Sequence, residues 1–475
     1  MESGVILAAV VAYLALMVVL GVWYGRKIKN NDDFMVAGRS LSQLILTGTL
    51  LATWTGAGTI IGRANFSYTY GPLASIFYSV GPPLGILIMY FFLAKRIRAL
   101  GKYTVPQIIE LRYGRGVRLV AAGAIVIAYM AIVSEQISAL GYILNLTTGI
   151  PPEVGEVVGL CLILFTAVAG GILSLAYTDA ISAVLITGAM VGGVVFVLFS
   201  LDGFTGLAAG LPDSQMTWTG GLTSIQLLGF ILPGLFLFLG DQNMYQRFGA
   251  AKSPEVARKS ALGFLVGDVV FYGAVIILAS SAAVLLPEIA PDTAILRLAT
   301  DSLPLVMGAA LLMAGTAFVI TTGNSFVLSA SSNLVQDIYV SLTRRRGDET
   351  RRMLMLTRVT IVVVGVVAYG IAKLFPNVLE IQVFAYTMYG AVITPCLLAV
   401  FLTTRVTPAG AVASMLTGIT MTVLWEFGLD KPYDWNSVLV SLPLAIAALA
   451  LVSLFTKPRP VRAEESDAVT ETESA

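Results

Sequence analysis

The sequence predicts an all-α membrane protein that crosses a lipid bilayer many times. Of its 475 residues, 57% are hydrophobic and 12% are charged, whereas about a quarter of an ordinary soluble domain is charged. Apolar runs of about 20 residues, long enough to cross ~30 Å of hydrocarbon, recur from the N-terminus to position 456. The membrane part is therefore predicted to be one continuous domain.

Reading the apolar runs between polar breaks gives thirteen candidate membrane spans. Two of them are unusually long or interrupted. The first run lacks a preceding basic segment and a following cleavage site, so we expect a retained helix. The spans lie near residues 4–24, 43–68, 73–94, 118–146, 156–174, 178–200, 224–246, 260–286, 303–338, 354–374, 378–402, 408–426 and 436–456.

Basic residues collect in every second connection between these spans, and acidic residues such as Glu153 and Asp202 collect in the others. The basic groups are Arg26 to Lys29, Lys95 to Arg118, Arg247 to Lys259, Arg344 to Arg352, Arg405, and Lys457 to Arg462. Because cytoplasmic loops carry the Lys and Arg excess, thirteen spans place the N-terminus outside and the C-terminus inside a plasma membrane. Residues 458–475, which are acidic from Ala463 onward, are predicted to be a disordered cytoplasmic tail.

Composition also excludes several classes of function. The formal net charge of +1 gives no sign of a nucleic-acid surface. The chain has no histidine, which excludes a histidine-based metal site, catalytic triad or proton relay. No nucleophile–base arrangement or cofactor motif is visible, so we do not expect an enzyme.

The second predicted span has an irregular centre. Glycines and hydroxyl residues alternate there, at Thr53, Thr55, Gly56, Gly58, Thr59 and Gly62. Such a helix unwinds easily, and unwound backbone at bilayer depth lines a cavity where its free carbonyls can coordinate a cation. Alternatively, the glycines only allow close helix packing. The residues alone leave both interpretations open.

A second group of hydroxyls lies near the middle of the ninth span. Thr321, Thr322 and Ser325 follow helical spacing, so Thr321 and Ser325 share a face. Hydroxyl and carbonyl oxygens are hard ligands that suit a small hard cation. The alternative is that these side chains bond back to the preceding turn of their own helix.

Charged residues inside apolar spans form a third group of candidates. A charge near the centre of a span costs about 2.5–3.5 kcal/mol, so each such residue is a candidate functional residue. We expect Asp268 and Glu380 to be structural. Asp179 is expected to open a span as a helix cap, whereas Asp241 has no such explanation. The group comprises Arg63, Glu135, Asp179, Asp241, Asp268 and Glu380.

Four motifs in this order resemble the sodium:solute symporters over the first twelve or so spans. They are Ala37-Gly38-Arg39-Ser40, Gly170-Gly171 through Tyr177-Thr178-Asp179, Tyr245-Gln246-Arg247-Phe248, and Ser329-Ala330-Ser331-Ser332 through Asp337-Ile338-Tyr339. The resemblance implies a LeuT-type fold with two inverted five-helix repeats over residues 40–402. One extra helix, 1–25, precedes the core and two, 403–457, follow it. It also implies alternating access driven by Na⁺.

The resemblance further implies where sodium binds. The main site takes backbone and hydroxyl oxygens at Ala52, Thr55, Phe318, Thr321 and Thr322. A second site, found in some members of the family, would use Asp179, Thr321, Asn324 and Ser325. The asparagine in the second set is a departure from the family pattern.

The implied solute site resembles that of the choline transporter branch in one residue. Trp54 matches a tryptophan of its aromatic cage, where a ring face holds an ammonium group, but Ile132 and Asp241 replace the other two rings. An acid suits an amine that donates hydrogen bonds. The candidate solute residues are Trp54, Thr59, Arg63, Ile132, Glu135 and Asp241.

Arg63 has no place in the family pattern. It either pairs with Asp241 or Glu135 as a buried ion pair, or clamps a carboxylate of the solute. The leading hypothesis is therefore a sodium-coupled symporter that imports a small organic solute, with an amine or, through Arg63, a carboxylate or zwitterion. The expected partners are the solute, sodium ions and the bilayer. A membrane sensor on the same frame and a passive channel are the alternatives.

Overall fold

The computed structural model describes residues 36–102, 104–169, 172–343 and 350–458, with isolated positions between 4 and 23. These residues form helices and turns, and their one β-type pairing is an isolated bridge between Leu41 and Ala251. The long helices are α1 Gln43–Trp54, α2 Gly58–Tyr70, α3 Pro72–Leu100, α4 Arg115–Thr148, α5 Pro152–Ala169, α6 Ile172–Ser200, α7 Ser224–Gly240, α8 Gln242–Gly249, α9 Pro254–Leu285, α10 Leu305–Thr343, α11 Thr350–Ala372, α12 Val378–Leu402, α13 Pro408–Gly428 and α14 Val438–Phe455. Shorter helices are Ala37–Arg39, Val105–Tyr113, Gly203–Gly210, Asp213–Met216, Pro291–Thr293, Ala294–Asp301 and Pro432–Asp434.

Within the described residues, ten helices are long and apolar enough to cross a membrane, and the bent pair α1–α2 makes an eleventh. Helix α5 coincides with the fifth predicted span. The predicted first span, apart from isolated positions, and the predicted tail beyond residue 458 lie outside the described residues. The count of thirteen membrane helices and the division of the chain into domains therefore stay predictions.

Two of the membrane helices within the described part of the chain are broken. Helices α1 and α2 meet at an angle of 61° across residues 55–57, as the irregular second span predicts. The second break, between α7 and α8, lies at Asp241, whose backbone is extended (φ −62°, ψ 117°). Sequence reasoning treated 224–246 as one span and missed this break.

The positions of the breaks divide the described helices into two sets. Four long helices, α3 to α6, separate the first broken pair from the second, and four more, α9 to α12, follow the second pair. Each broken helix thus opens a set of five, which is the order expected for two repeats whose broken helices meet at a binding site.

Local signals explain where several of these helices begin and end. Thr223 and Gln226 form a capping box at the start of α7. The Ser253 hydroxyl accepts a hydrogen bond from the Val256 amide at the start of α9 (3.2 Å), just before Pro254. Helix α4 ends at Gly149, whose left-handed backbone (φ 76°) suits glycine.

Burial separates inner helices from outer ones. In its most apolar 18-residue window, α12 is 94% buried, whereas α14 is 28% buried. Helix α4 packs against α5, α10, α11 and α12 and lies at the centre of the bundle. On α11 and α14, large apolar side chains such as Val366 and Phe455 face outward, as expected for a surface in contact with lipid tails.

Candidate functional site

The first helix break lies deep in the bundle, where two glycines allow neighbouring side chains to approach the backbone closely. A Cβ on Gly56 would lie 2.8 Å from Thr322 Cγ2, and one on Gly58 would lie 2.8 Å from Gln382 Cδ. The helix is unwound at this point, as one interpretation of the glycines predicts, and neighbouring side chains pack tightly against them, as the other predicts. Cation coordination by the unwound backbone stays a prediction. The amide of Ala57 donates a hydrogen bond to a side-chain oxygen, that of Gln136 (2.9 Å).

The predicted main sodium residues lie on α1 and α10 and in the break. The Thr322 hydroxyl donates to the Ala52 carbonyl (3.3 Å), which joins α10 to the end of α1. The hydroxyl of Thr55 is buried and has no hydrogen-bond partner. Thr321 bonds back to the Phe318 carbonyl (3.3 Å), the structural alternative considered for these hydroxyls. The five oxygens are of the kind that a small hard cation binds, and their role in binding sodium stays a prediction.

Asp179 was predicted to be a helix cap or a ligand of a second sodium ion. It lies inside α6 rather than at its start, so the prediction of a helix cap is wrong. Its Oδ2 accepts from the Thr49 hydroxyl (2.7 Å) and lies 3.5 Å from Arg247 Nη2. The same Arg247 nitrogen donates to the Ser325 hydroxyl (3.0 Å). A guanidinium group therefore lies between two of the predicted second-site ligands.

The other second-site residues are oriented differently. The amide of Asn324 contacts Thr166 on α5 (2.9 Å), and its nitrogen can donate to the Ile163 carbonyl (2.8 Å).

Arg247 was counted among the basic residues of a cytoplasmic connection, which is wrong: its side chain is 1% exposed. It was misread because α8 is a short helix that returns into the core.

Asp241 does have a structural role, contrary to expectation. It caps α8, because its Oδ1 accepts from the Asn243 amide (3.1 Å), and it also accepts from the Tyr129 hydroxyl. Tyr129 stacks on Tyr389 with ring centroids 5.3 Å apart. Ile132, the other replaced cage position, is buried one turn further along α4. The second carboxylate oxygen of Asp241 is buried without a partner.

Trp54 and Arg63 belong to one aromatic cluster beside the break. The Trp54 Nε1 donates to the Tyr272 hydroxyl (2.5 Å), and the Arg63 guanidinium lies 4.0 Å from the centre of the Tyr272 ring. The guanidinium also faces Tyr78 at 4.6 Å and donates to Ser79 (3.0 Å). Such placement over two rings stabilises a buried cation.

The ion pairs considered for Arg63 are absent from the described residues. Asp241 and Glu135 bond to other groups, and the acid that acts electrostatically on Arg63 is Asp268 on α9. Asp268, which we expected to be structural, is fully buried in the middle of α9.

Glu135 reaches the break directly. Its Oε1 accepts from the Gln136 side-chain amide (2.7 Å), and its carboxylate also interacts with the backbone amide of Gly58. Its Oε2 is buried without a partner. Thr59, in the first turn of α2, is buried close by.

Sequence reasoning missed several residues of this region. Gln136 and Gln382 are amide side chains inside apolar runs, and that polarity was a usable signal. Tyr272 and Tyr386 gave no such signal, because tyrosines are common in membrane helices.

Polar contacts lie at both ends of the region. At one end, Arg118 on α4 pairs with Asp337 and Glu110, each at 2.6 Å. At the other, Asn65 donates to Asp292 (2.7 Å) beneath a cavity of 480 Å³. That cavity is also lined by Lys431, which pairs with Glu380 (2.7 Å). A buried polar centre between two broken helices is the arrangement that LeuT-type folds use for a binding site.

These features define a class of protein: a multi-pass helical transporter of the LeuT type, with two broken helices at its buried polar centre. The chain matches the sequence model of the sodium:solute symporter family over residues 34–418, and it belongs to that family. The predicted recognition of this family is confirmed. The family couples sodium to solute symport, so sodium is implied as the coupling ion.

Two relatives agree with this assignment, and two solved structures share the fold. The chain is 26% identical to the human high affinity choline transporter 1 over 469 residues (92% of this chain, 79% of the relative). It is also 26% identical to the sodium/proline symporter of Staphylococcus aureus over 439 residues (88% and 85%). The structure of a Na⁺-coupled sialic acid symporter in a substrate-bound outward-open state superposes with a TM-score of 0.78 at 18% identity, covering 96% of this chain and 99% of that one. The transporter MHP1 superposes at 0.61 and 14%, with 93% and 99% covered.

Proposed function

We propose that this protein imports a small organic solute by symport with sodium bound at Ala52, Thr55, Phe318, Thr321 and Thr322. The observation that carries the proposal is the 3.3 Å contact between the Thr322 hydroxyl and the Ala52 carbonyl, next to the buried and unpartnered Thr55 hydroxyl. Sodium at this point would link α10 to the broken helix. The broken helices would then be held in the arrangement that binds the solute.

The test is uptake into proteoliposomes, which should require an inward sodium gradient. Thr322→Ala and Thr321→Ala each remove an oxygen ligand and should raise the sodium concentration that gives half-maximal uptake by about tenfold or more. Thr316→Ala is the matched control, because that buried hydroxyl on α10 bonds to its own helix at Leu312 (2.7 Å). Equal uptake in sodium and potassium by the wild type would refute sodium coupling.

We propose one sodium ion per cycle. Arg247 supports this because its guanidinium contacts both Asp179 and Ser325, and a fixed positive charge between them disfavours a second cation. Uptake should then depend on sodium with a Hill coefficient close to one. A coefficient near two in the wild type would contradict the proposal.

For the solute, an amine is the first candidate, and a carboxylate or zwitterion held by Arg63 is the second. Within the described residues, the cluster around Arg63 combines a cation, two acids and aromatic rings, which suits a small polar molecule with a charged group. In this proposal the protein lies in the plasma membrane with the N-terminus outside and the C-terminus in the cytoplasm. A sensor on the same fold is excluded if preloaded vesicles accumulate labelled solute by counterflow.

A further inference from the structure

The amides exposed by the first helix break already have partners within the protein. The Ala57 amide donates to the side-chain oxygen of Gln136 (2.9 Å), and the Gly58 amide faces the Glu135 carboxylate. Gln136 in turn donates to Glu135 Oε1 (2.7 Å). A carboxylate and an amide side chain from α4 therefore cap the start of α2.

This cap changes what the helix start can bind. The start of a half-helix in a LeuT-type fold carries a partial positive charge that attracts an anionic group of a substrate. Here the Glu135 carboxylate occupies that position. A solute carboxylate placed at the same point would lie against a like charge in a site of low dielectric, which is unfavourable.

One oxygen of this carboxylate remains available. Glu135 Oε2 is buried and has no hydrogen-bond partner, whereas Oε1 accepts from Gln136. The Tyr386 hydroxyl lies at the same break, 2.8 Å from the position that a Cβ on Gly58 would take, and the ring of Tyr386 lies 6.1 Å from that of Trp54. A free carboxylate oxygen near aromatic rings suits a donor group that carries a positive charge.

Arg63 already has contacts within the protein. Its guanidinium faces the rings of Tyr78 and Tyr272 at 4.6 and 4.0 Å and donates to Ser79. The same region holds two buried acids, Glu135 and Asp268, and neither forms an ion pair within the described residues. One cation and two acids leave one negative charge without a counterpart, and a positively charged solute would supply it.

We propose that the solute is held through a protonated primary or secondary amine, whose N–H group donates to Glu135 Oε2. The inference rests on the proposed symport function and specifies the chemical class of its substrate. A quaternary ammonium lacks the N–H donor that the free oxygen requires, and a solute whose one charged group is a carboxylate is disfavoured. Glu135 is thus a specificity-determining residue that contacts the solute.

The experiment is a thermal-shift screen of the purified full chain in lipid nanodiscs, in sodium and in potassium. The probes are small primary and secondary amines, including ethanolamine, prolinol and L-proline. Matched probes lack the N–H ammonium: choline as the quaternary analogue of ethanolamine, tetrahydrofuran-2-carboxylate as the nitrogen-free analogue of proline, and simple sugars. We expect sodium-dependent stabilisation by members of the first group and none by the second.

Glu135→Gln should weaken the apparent affinity for the stabilising amines by about tenfold or more, because a charge-assisted hydrogen bond is lost. A cooperative thermal transition of the variant without solute shows that it is folded. Glu255→Gln, an exposed acid on α9, is the matched control and should bind amines like the wild type. If Glu135→Gln does not fold, the comparison of amines with the matched probes on the wild-type protein still tests the inference.

Three results would overturn the inference: stabilisation by nitrogen-free carboxylates or sugars equal to that by amines, absence of any stabilising amine, or unchanged amine affinity in Glu135→Gln. Failure of the symport function itself would give a different result. If the protein is not a sodium symporter, sodium would neither stabilise it nor drive uptake of any probe.

Discussion

The buried ion pair between Asp179 and Arg247 allows a prediction whose size follows from the structure. Both side chains are 1% exposed, and the charged atoms are 3.5 Å apart. At an effective dielectric constant of about 20, this distance corresponds to an attraction of about 5 kcal/mol. Removing one partner of a buried pair typically costs about 3–5 kcal/mol, because the other charge stays buried without compensation.

The two single substitutions should differ within that range. After Asp179→Asn, Arg247 keeps hydrogen bonds to Thr49, Ser325 and the Asn243 carbonyl, so we expect a cost of about 3 kcal/mol. After Arg247→Met, the Asp179 carboxylate keeps the hydroxyls of Thr49 and Thr53, and we expect about 5 kcal/mol. The double variant contains neither charge and should cost about 2 kcal/mol, far less than the sum.

The assay is equilibrium unfolding of the purified variants in mixed detergent micelles, followed by tryptophan fluorescence. The control is the pair between Lys95 and Glu255, which is shorter (2.7 Å) but exposed at the surface. Its removal should leave stability unchanged within error, because solvent screens exposed pairs. If the free energy of unfolding of the double variant at Asp179 and Arg247 falls by the sum of the two single costs, the two side chains are not coupled. The buried ion pair would then not account for the stability lost in the single variants.

Further predictions concern the break and the two ends of the site. Gly58→Ala should strongly reduce uptake, because its Cβ would meet neighbouring side chains at 2.8 Å, whereas Gly188→Ala, where no atom lies within 4 Å, should not. Arg118→Met removes contacts to two acids and should speed amide hydrogen exchange at the adjoining ends of α4 and α10; unchanged exchange would contradict this. Asn65→Ala removes the hydrogen bond to Asp292 and should speed exchange at the start of α12 but leave the Arg118 end unchanged.

Much of the first break could be predicted from sequence. Its glycines and threonines stand out inside an apolar run, and the break lies at residues 55–57 as that pattern indicates. The second break could not be predicted in the same way. Asp241 and the polar residues after it resemble the end of a span, and the sequence does not show that α8 continues as a buried helix.

The sequence also does not show which side chains contact each other across the bundle. Arg247 follows a polar stretch near other basic residues, so its charge indicated a cytoplasmic loop. Asp179, its partner, is 68 positions away, and nothing local indicates that they meet. Likewise α12 and α14 are both apolar, and tertiary packing alone makes one largely buried and the other largely exposed. Some polar side chains inside spans, such as Glu135, could be singled out from the sequence, but their contacts required the fold.

The central claim is that oxygens of α1, the first break and α10 converge on one sodium ion. The most direct test is a pair of high-resolution cryo-EM maps of the protein in nanodiscs, one in sodium and one in potassium. The account predicts a compact density among the oxygens of Ala52, Thr55, Phe318, Thr321 and Thr322 in sodium, and none there in potassium. A sodium map in which these oxygens surround no density would contradict it.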